Sequence, residues 1–250
     1  MGNQIPIISP ILQTIGLSSG INTYKQDYIS KDRNTTLPKE DWSDNKKAKG
    51  TITFENGHFY NGELYDGKFD GNGTYKGDDH IYIGEFKEGK RHGKGKYTWP
   101  CGDSYEGEWQ DNISVGYGTY TWKNKDIFIG EWSNDLRNGK GKMIYADGHS
   151  YEGDWLDDFK TEGKHNWNDG SIYQGEWNNC VRSGYGKMIY KEGNIYEGYW
   201  LNNLRHGKGK LKMADNGPNH GDIYDGDWEN DLQQGTGKYT WEGIINILLL

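Results

Sequence analysis

Two features of this sequence bring together residue types able to do chemistry: three basic clusters and a row of tryptophans. The clusters read Lys90-Arg91-His92-Gly93-Lys94-Gly95-Lys96, Arg137-Asn138-Gly139-Lys140-Gly141-Lys142 and Arg205-His206-Gly207-Lys208-Gly209-Lys210. Lys94, Lys96, Lys140, Lys142, Lys208 and Lys210 thus recur in one local context. A surface that aligned them would attract phosphoinositide headgroups or an anionic membrane. The competing expectation is cross-strand pairing, with Glu85 opposite Lys94 and Glu131 opposite Lys140. Such exposed pairs stabilise little, but they neutralise the ladder. The ladder is also interrupted, because Tyr117, Tyr185 and Thr236 hold the matching position.

The tryptophans are Trp109, Trp132, Trp155, Trp177, Trp200 and Trp228. Stacked side by side, they would line a groove for a partner helix or peptide. The simpler expectation is that they form the core, where removing one ring costs about 3–5 kcal/mol. Nothing points to catalysis. The seven histidines form no i,i+4 pair and no Cys/His cluster, so no metal site is expected. No Ser-His-Asp arrangement is visible. The Gly-x-Gly pairs lead into strands and not helices, so they are not nucleotide loops. No cofactor is expected, and acids such as Asp157-Asp158 read as solvated turn residues.

Something regular must position these residues, and the sequence shows what it is. The pattern aromatic-x-Gly-acid-aromatic occurs at Tyr82-Ile83-Gly84-Glu85-Phe86, Tyr105-Glu106-Gly107-Glu108-Trp109 and Phe128-Ile129-Gly130-Glu131-Trp132. Counting variants, it starts at 60, 82, 105, 128, 151, 173, 196 and 224, a unit of about 23 residues in eight copies. Each copy continues with Gly-x-Gly and an alternating run, such as Gly93-Lys94-Gly95-Lys96-Tyr97-Thr98-Trp99. Period-two alternation in both halves predicts two strands per unit. Tyr105, Gly107 and Trp109 then share one face with Gly116, Gly118, Tyr120 and Trp122, and glycines make room for the rings. Gly67, Gly89, Asn112, Asp135, Asp158, Cys180, Asn203 and Asp231 mark one set of turns. All but Cys180 belong to types that tolerate a left-handed backbone. Asn56-Gly57, Asp147-Gly148 and Asp169-Gly170 mark the other set.

The expected fold is therefore all-β: an elongated, twisted antiparallel meander of about eight hairpins, sixteen strands and roughly 75 Å. Residues 1–49 read as a poorly structured leader, 50–243 as the array, and 244–250 as an apolar tail, terminal cap or point of truncation. Gly50-Thr51-Ile52-Thr53-Phe54 resembles a lone strand opening the array. Composition agrees: 38 glycines, 11 tryptophans and 19 tyrosines, with few aliphatics, give a core made of rings. Residues 1–49 hold seven basic and five acidic side chains, leaving 22 basic against 32 acidic beyond them. An array that acidic is not a nucleic-acid binder. Cys101 and Cys180 fall on opposite edges of the expected sheet, so a disulfide is not expected and a reducing compartment is.

Tyr-x-Gly-x-Trp, Gly-x-Gly and a Gly turn at this period resemble the MORN repeat (membrane occupation and recognition nexus). The resemblance implies hairpin-built rods in cytoplasmic proteins, among them junctophilins, plant phosphatidylinositol-phosphate kinases, protist cytoskeletal scaffolds and a SET-type histone methyltransferase. It implies protein docking or membrane-lipid contact without choosing. The expected function is a non-enzymatic scaffold or adaptor for a protein partner, cytoplasmic and peripheral at membrane or cytoskeleton. The alternatives are direct binding of anionic lipid and an accessory or truncated part of a larger enzyme. Unpaired sheet ends make a homodimer a further expectation. Three departures stand out. Asn124-Lys125-Asp126 lacks the turn glycine, Thr161-Glu162-Gly163 is one residue short, and Ala214 to Gly221 carries a five-residue excess.

Overall fold

The computed structural model describes residues 47–215, 221–241 and 244–249. The leader up to residue 46, and residues 216–220 of the long seventh repeat, lie outside the described residues. Eight two-stranded hairpins form a single meander. After β1 (Lys47–Thr53) come β2 (Phe59–Tyr65) and β3 (Lys68–Lys76), β4 (Ile81–Lys87) and β5 (Lys90–Thr98), β6 (Ser104–Gln110) and β7 (Ile113–Thr121), and β8 (Ile127–Ser133) and β9 (Leu136–Ile144). The second half holds β10 (Ser150–Leu156) and β11 (Phe159–Asn166), β12 (Ile172–Asn178) and β13 (Val181–Ile189), β14 (Ile195–Leu201) and β15 (Leu204–Lys212), β16 (Ile223–Glu229) and β17 (Leu232–Trp241), closed by β18 (Ile244–Leu249). Successive strands pair antiparallel along the chain, as β1 with β2 and β17 with β18. The sixteen expected strands are thus flanked by the lone opening strand, which begins at Lys47 within the expected leader, and by β18 at the apolar tail, and the sheet runs about 80 Å across its strands.

The turns within repeats are tighter than the sequence reading required. Each is a two-residue loop with both residues at positive φ, as in Asp111 (50°) and Asn112 (76°), or Asn179 (48°) and Cys180 (64°). Positive φ at both positions is the signature of a type I′ turn, whose twist matches that of the strands it joins. Cys180 adopts the left-handed conformation despite its type. The turns between repeats are of another kind. Gly102 N–H donates to Trp99 O at 2.9 Å and Trp99 N–H to Asp103 O at 3.0 Å. Only Gly102 there has positive φ, 96°, which makes a three-residue loop ending in a left-handed residue. In the third repeat Lys125 takes that place at φ 75° and donates to Trp122 O at 2.8 Å. The loop survives without its glycine by holding a lysine in a backbone conformation that L-residues disfavour.

The core is one layer of rings on one face. A glycine sits at the same level of successive strands, with Gly84 facing Gly95, and Gly95 facing Gly107. The first ring of each repeat lies flat over this stripe, where a Cβ on Gly95 would collide with the Tyr82 ring. Tyr60, Tyr82, Tyr105, Tyr151, Tyr173, Tyr196 and Tyr224 are essentially inaccessible. Each hydroxyl donates to the backbone carbonyl three residues on, as Tyr82 to Glu85 O at 2.9 Å and Tyr173 to Glu176 O at 3.0 Å. Burial pushes these phenols up, out of the physiological range.

Candidate functional site

Each hairpin contains an irregularity that decides where its side chains go. Between the motif glycine and the motif tryptophan the register slips: Gly175 faces Gly186, yet Trp177 faces Arg182. The return strand carries the extra residues as a bulge. Its first glycine has positive φ, 76° at Gly184. The motif acid folds over that glycine and accepts the next backbone N–H. Lys94 donates to Glu85 at 2.8 Å, Tyr185 to Glu176 at 2.9 Å and Thr236 to Asp227 at 3.1 Å. A Cβ on Gly184 would strike the Glu176 carboxylate. In the first, second, third, sixth and eighth repeats the motif acid therefore caps its own bulge, whereas the seventh carries Tyr199 at that place.

This corrects the expected lysine pairing. Glu85 does not stand opposite Lys94, nor Glu131 opposite Lys140. The bulge moves each lysine into register with the acid of the following repeat, Lys94 with Glu108 and Lys140 with Asp154. Lys140 meets Asp154 at 2.7 Å, Lys96 meets Glu106 at 3.3 Å, Lys142 meets Glu152 at 3.5 Å and Lys208 meets Asp227 at 2.6 Å. Lys210 faces Asp225 in register. The six lysines do lie together on one exposed face, interleaved with acids.

The same slip places the tryptophans. Trp109 faces Gly93 and Trp132 faces Gly116, the first glycine of the repeat before. Each indole N–H then donates to the second glycine of that repeat, Trp109 to Gly95 O at 3.0 Å, Trp200 to Gly186 O at 3.1 Å and Trp228 to Gly209 O at 2.9 Å. Trp132, Trp155 and Trp177 do likewise with Gly118, Gly141 and Gly163. All six are buried and stand edge-on to two tyrosine or phenylalanine rings, as Trp132 does to Tyr105 and Phe128. They seal one repeat to the next and do not themselves line an open groove.

The groove is built from residues the sequence reading passed over. One wall is an arginine row two positions after the left-handed turn: Arg91, Arg137, Arg182 and Arg205. Each guanidinium lies over the tryptophan of the next repeat, 4.4 Å from Trp109, 4.3 Å from Trp155, 4.4 Å from Trp200 and 4.2 Å from Trp228. Each also donates to the backbone carbonyl of the next turn, at 2.9 Å to Asn112, 3.1 Å to Asp158, 2.9 Å to Asn203 and 2.8 Å to Asp231. These arginines therefore belong to the ring face as straps between repeats, away from the lysines with which the sequence grouped them. The other wall is the ring that ends each return strand: Trp99, Trp122, Tyr145, Trp167 and Tyr190, with Met213 continuing the row. All are half-buried and packed against the core. The floor is Tyr97, Tyr120, Met143, His165, Met188 and Leu211. At the seventh repeat the groove deepens into a recess of 510 Å³ between Arg205 and Gln233 on one side and Tyr190 and Met213 on the other, over Leu211. The signal for both walls was in the sequence, as a residue type recurring once per unit.

The fifth repeat interrupts the arginine wall with Lys160, buried among Tyr145, Tyr151 and Trp177. Desolvation pushes its ammonium down to about 8, and neighbouring His165, also desolvated, down to about 4. Among the described residues no group of three or more His, Cys, Asp or Glu is placed to hold a metal ion. Cys101 and Cys180 are both free thiols.

The MORN-repeat family model matches residues 60–80, 82–104, 105–127, 128–150, 173–195, 196–217 and 224–243. It passes over the fifth of the eight units, where β10 and β11 nevertheless form a hairpin and Thr161 stands in place of the first glycine of the Gly-x-Gly pair. No curated protein matched the chain. Among solved structures, the TCP10 domain of Danio rerio CPAP, in a point-mutant form, is similar at 10% identity and a TM-score of 0.45, covering 79% of this chain and 91% of that one. The TCP domain of Drosophila melanogaster SAS-4, solved with a proline-rich motif of Ana2, is similar at 15% identity and a TM-score of 0.40, covering 63% and 88%. With seven matched units spanning more than half of its length, the chain belongs to the MORN-repeat family.

Proposed function

We propose that the array is a non-catalytic docking scaffold that seats a segment of a partner protein along the ring-face groove. One observation carries this reading: a 510 Å³ recess beside the seventh repeat, walled by Arg205 and Gln233 and by Tyr190 and Met213 over Leu211, in line with rows of half-buried rings and arginines in the neighbouring repeats. Grooves lined by aromatic rings with a few placed polar groups are the usual seats for peptide segments. The lysine face supports lipid binding less well, since Lys96, Lys140, Lys142 and Lys208 are already paired with acids. Free thiols at Cys101 and Cys180 suit a cytoplasmic setting, where the partner would belong to the cytoskeleton or to a membrane-bound complex. The test is a photo-crosslinker placed at Tyr190 in the groove or at exposed Tyr117 on the lysine face. Protein adducts in cells from Tyr190 alone are expected. Adducts from Tyr117 alone, or flotation with phosphoinositide liposomes that is lost when Lys94, Lys140 and Lys208 become Ala, would sink the reading.

A further inference from the structure

The fifth repeat departs from its neighbours at three places that meet in space. In the repeats before and after it, the wall residue is held by the left-handed turn residue of the next repeat. Arg137 Nε donates to Asp158 Oδ1 at 2.8 Å, and Arg205 Nε to Asp231 Oδ1 at 2.9 Å. Even Ser114, where the arginine is lost, donates its hydroxyl to Asp135 Oδ1 at 2.8 Å. At the fifth repeat the wall residue is Lys160, and the turn residue that should hold it is Cys180, which has no side-chain oxygen. The third departure is the missing residue of β11. Its bulge contains no left-handed glycine, and β11 pairs with β12 only from Glu162 to Asn166.

The result is a cation whose acceptor has been removed. Lys160 is 6% exposed and lies 4.5 Å from the Tyr151 ring and 5.1 Å from Trp177. Its hydrogen-bond partner among the described residues is His165 Nδ1 at 3.5 Å, the outer limit for such a bond. His165, itself 7% exposed, leaves Nε2 buried with no partner. A buried ammonium gains strongly from a carboxylate that accepts its protons. Its four-carbon stem also lets it turn towards the groove to reach one.

We propose that Lys160 is a specificity point of the groove, binding an Asp or Glu side chain of the docked segment in place of the turn acceptor that neighbouring repeats carry. The assignment rests on the docking reading above and adds the chemistry of one partner residue. The buried ammonium and the His165 Nε2 that lacks a partner are the two groups that such a carboxylate satisfies. Docking therefore depends on an acid presented at the fifth repeat.

The probe is a random 12-residue peptide library displayed on phage and selected against the full chain at pH 7. Selected peptides are expected to share an acidic position. Replacing that acid by its amide should weaken binding about tenfold or more, the scale of a hydrogen bond to a charged group. The same replacement should change binding less than twofold for Lys160→Met. It should also do so for a chain carrying Lys160→Arg with Cys180→Asn, which rebuilds the strap from within and guards against a folding defect in the first variant. If selected peptides lose equally in all three chains, docking stands and the role of Lys160 is overturned. If no peptide is selected by the groove, the docking reading falls and takes this assignment with it.

Discussion

Replacing Lys160 by methionine should make the protein more stable, and by an amount that depends on pH. The ammonium is pushed from 10.5 to about 8 by desolvation, with the Arg137 guanidinium a further charge that lowers it and the side chain of Cys180 a neighbour. His165 is the other titrating group in contact. Below about pH 8 the lysine is protonated in both folded and unfolded chains, and the folded state carries the full penalty, about 3 kcal/mol for a shift of this size. Between about 8 and 10.5 the unfolded chain holds a proton that the folded one has released, so stability rises with pH. From pH 7 to 9.5 the wild type should gain about 2 kcal/mol relative to Lys160→Met. At pH 7 the variant should be more stable by about 1–2 kcal/mol, since losing the contacts with three rings offsets part of the relief. Urea unfolding followed by tryptophan fluorescence at the two pH values measures both. Taking the difference between the two chains cancels the buried tyrosines, whose raised values act in the opposite sense above pH 10. Parallel pH dependences for the two proteins would refute the account of Lys160 as a buried, unneutralised cation.

Other expectations follow from the same geometry. His165, pushed down to about 4, should cost the protein stability as pH falls from 6.5 to 4, because the unfolded chain takes up the proton first; His165→Phe should flatten that limb in acid titrations. Lys125→Gly should raise stability by about 1 kcal/mol, the cost of a left-handed L-residue less the extra chain entropy of glycine, read from the urea midpoint. Glu176→Ala uncovers the backbone N–H of Tyr185 and should cost about 1 kcal/mol, with amide exchange at Tyr185 rising in step. Gly186→Ala forces a Cβ into the Tyr173 ring and should cost several times more, on the scale of overpacked cores at about 1–3 kcal/mol or above, with the loss of protection confined to the sixth hairpin if stability in the array is local.

Much of this was legible in the residue order. The unit, its eight copies, the strand pair within it and the left-handed turns follow from a period and from residue types whose backbone preferences are local. Ring over glycine was legible too, because alternation alone puts Tyr105 and Gly107 on one face. The site was less so. A basic cluster such as Arg91 to Lys96 reads as one charged feature, yet alternation and the bulge send Arg91 to the ring face and Lys94 and Lys96 to the other. The motif acids read as partners of lysines in their own hairpin, whereas Glu85 and Glu176 cap bulges and Asp154 and Asp227 meet lysines of the hairpin before. Whether a glycine bulges depends on how two strands share their hydrogen bonds, and a linear pattern does not contain that pairing.

The sequence by itself determined a repeating hairpin whose rings need glycines, since those demands are met within about 23 consecutive residues. The tertiary structure alone decided which repeat each side chain serves. The register sets each motif tryptophan against the repeat before it and lysines such as Lys140 and Lys208 against the acid of the repeat after it. Contacts between residues 21 positions apart, such as Arg137 with Asp158, exist only because stacking brings equivalent turns side by side. For the same reason the loss of an acceptor at Cys180 becomes a property of Lys160, in a different hairpin, and of the groove that both repeats share.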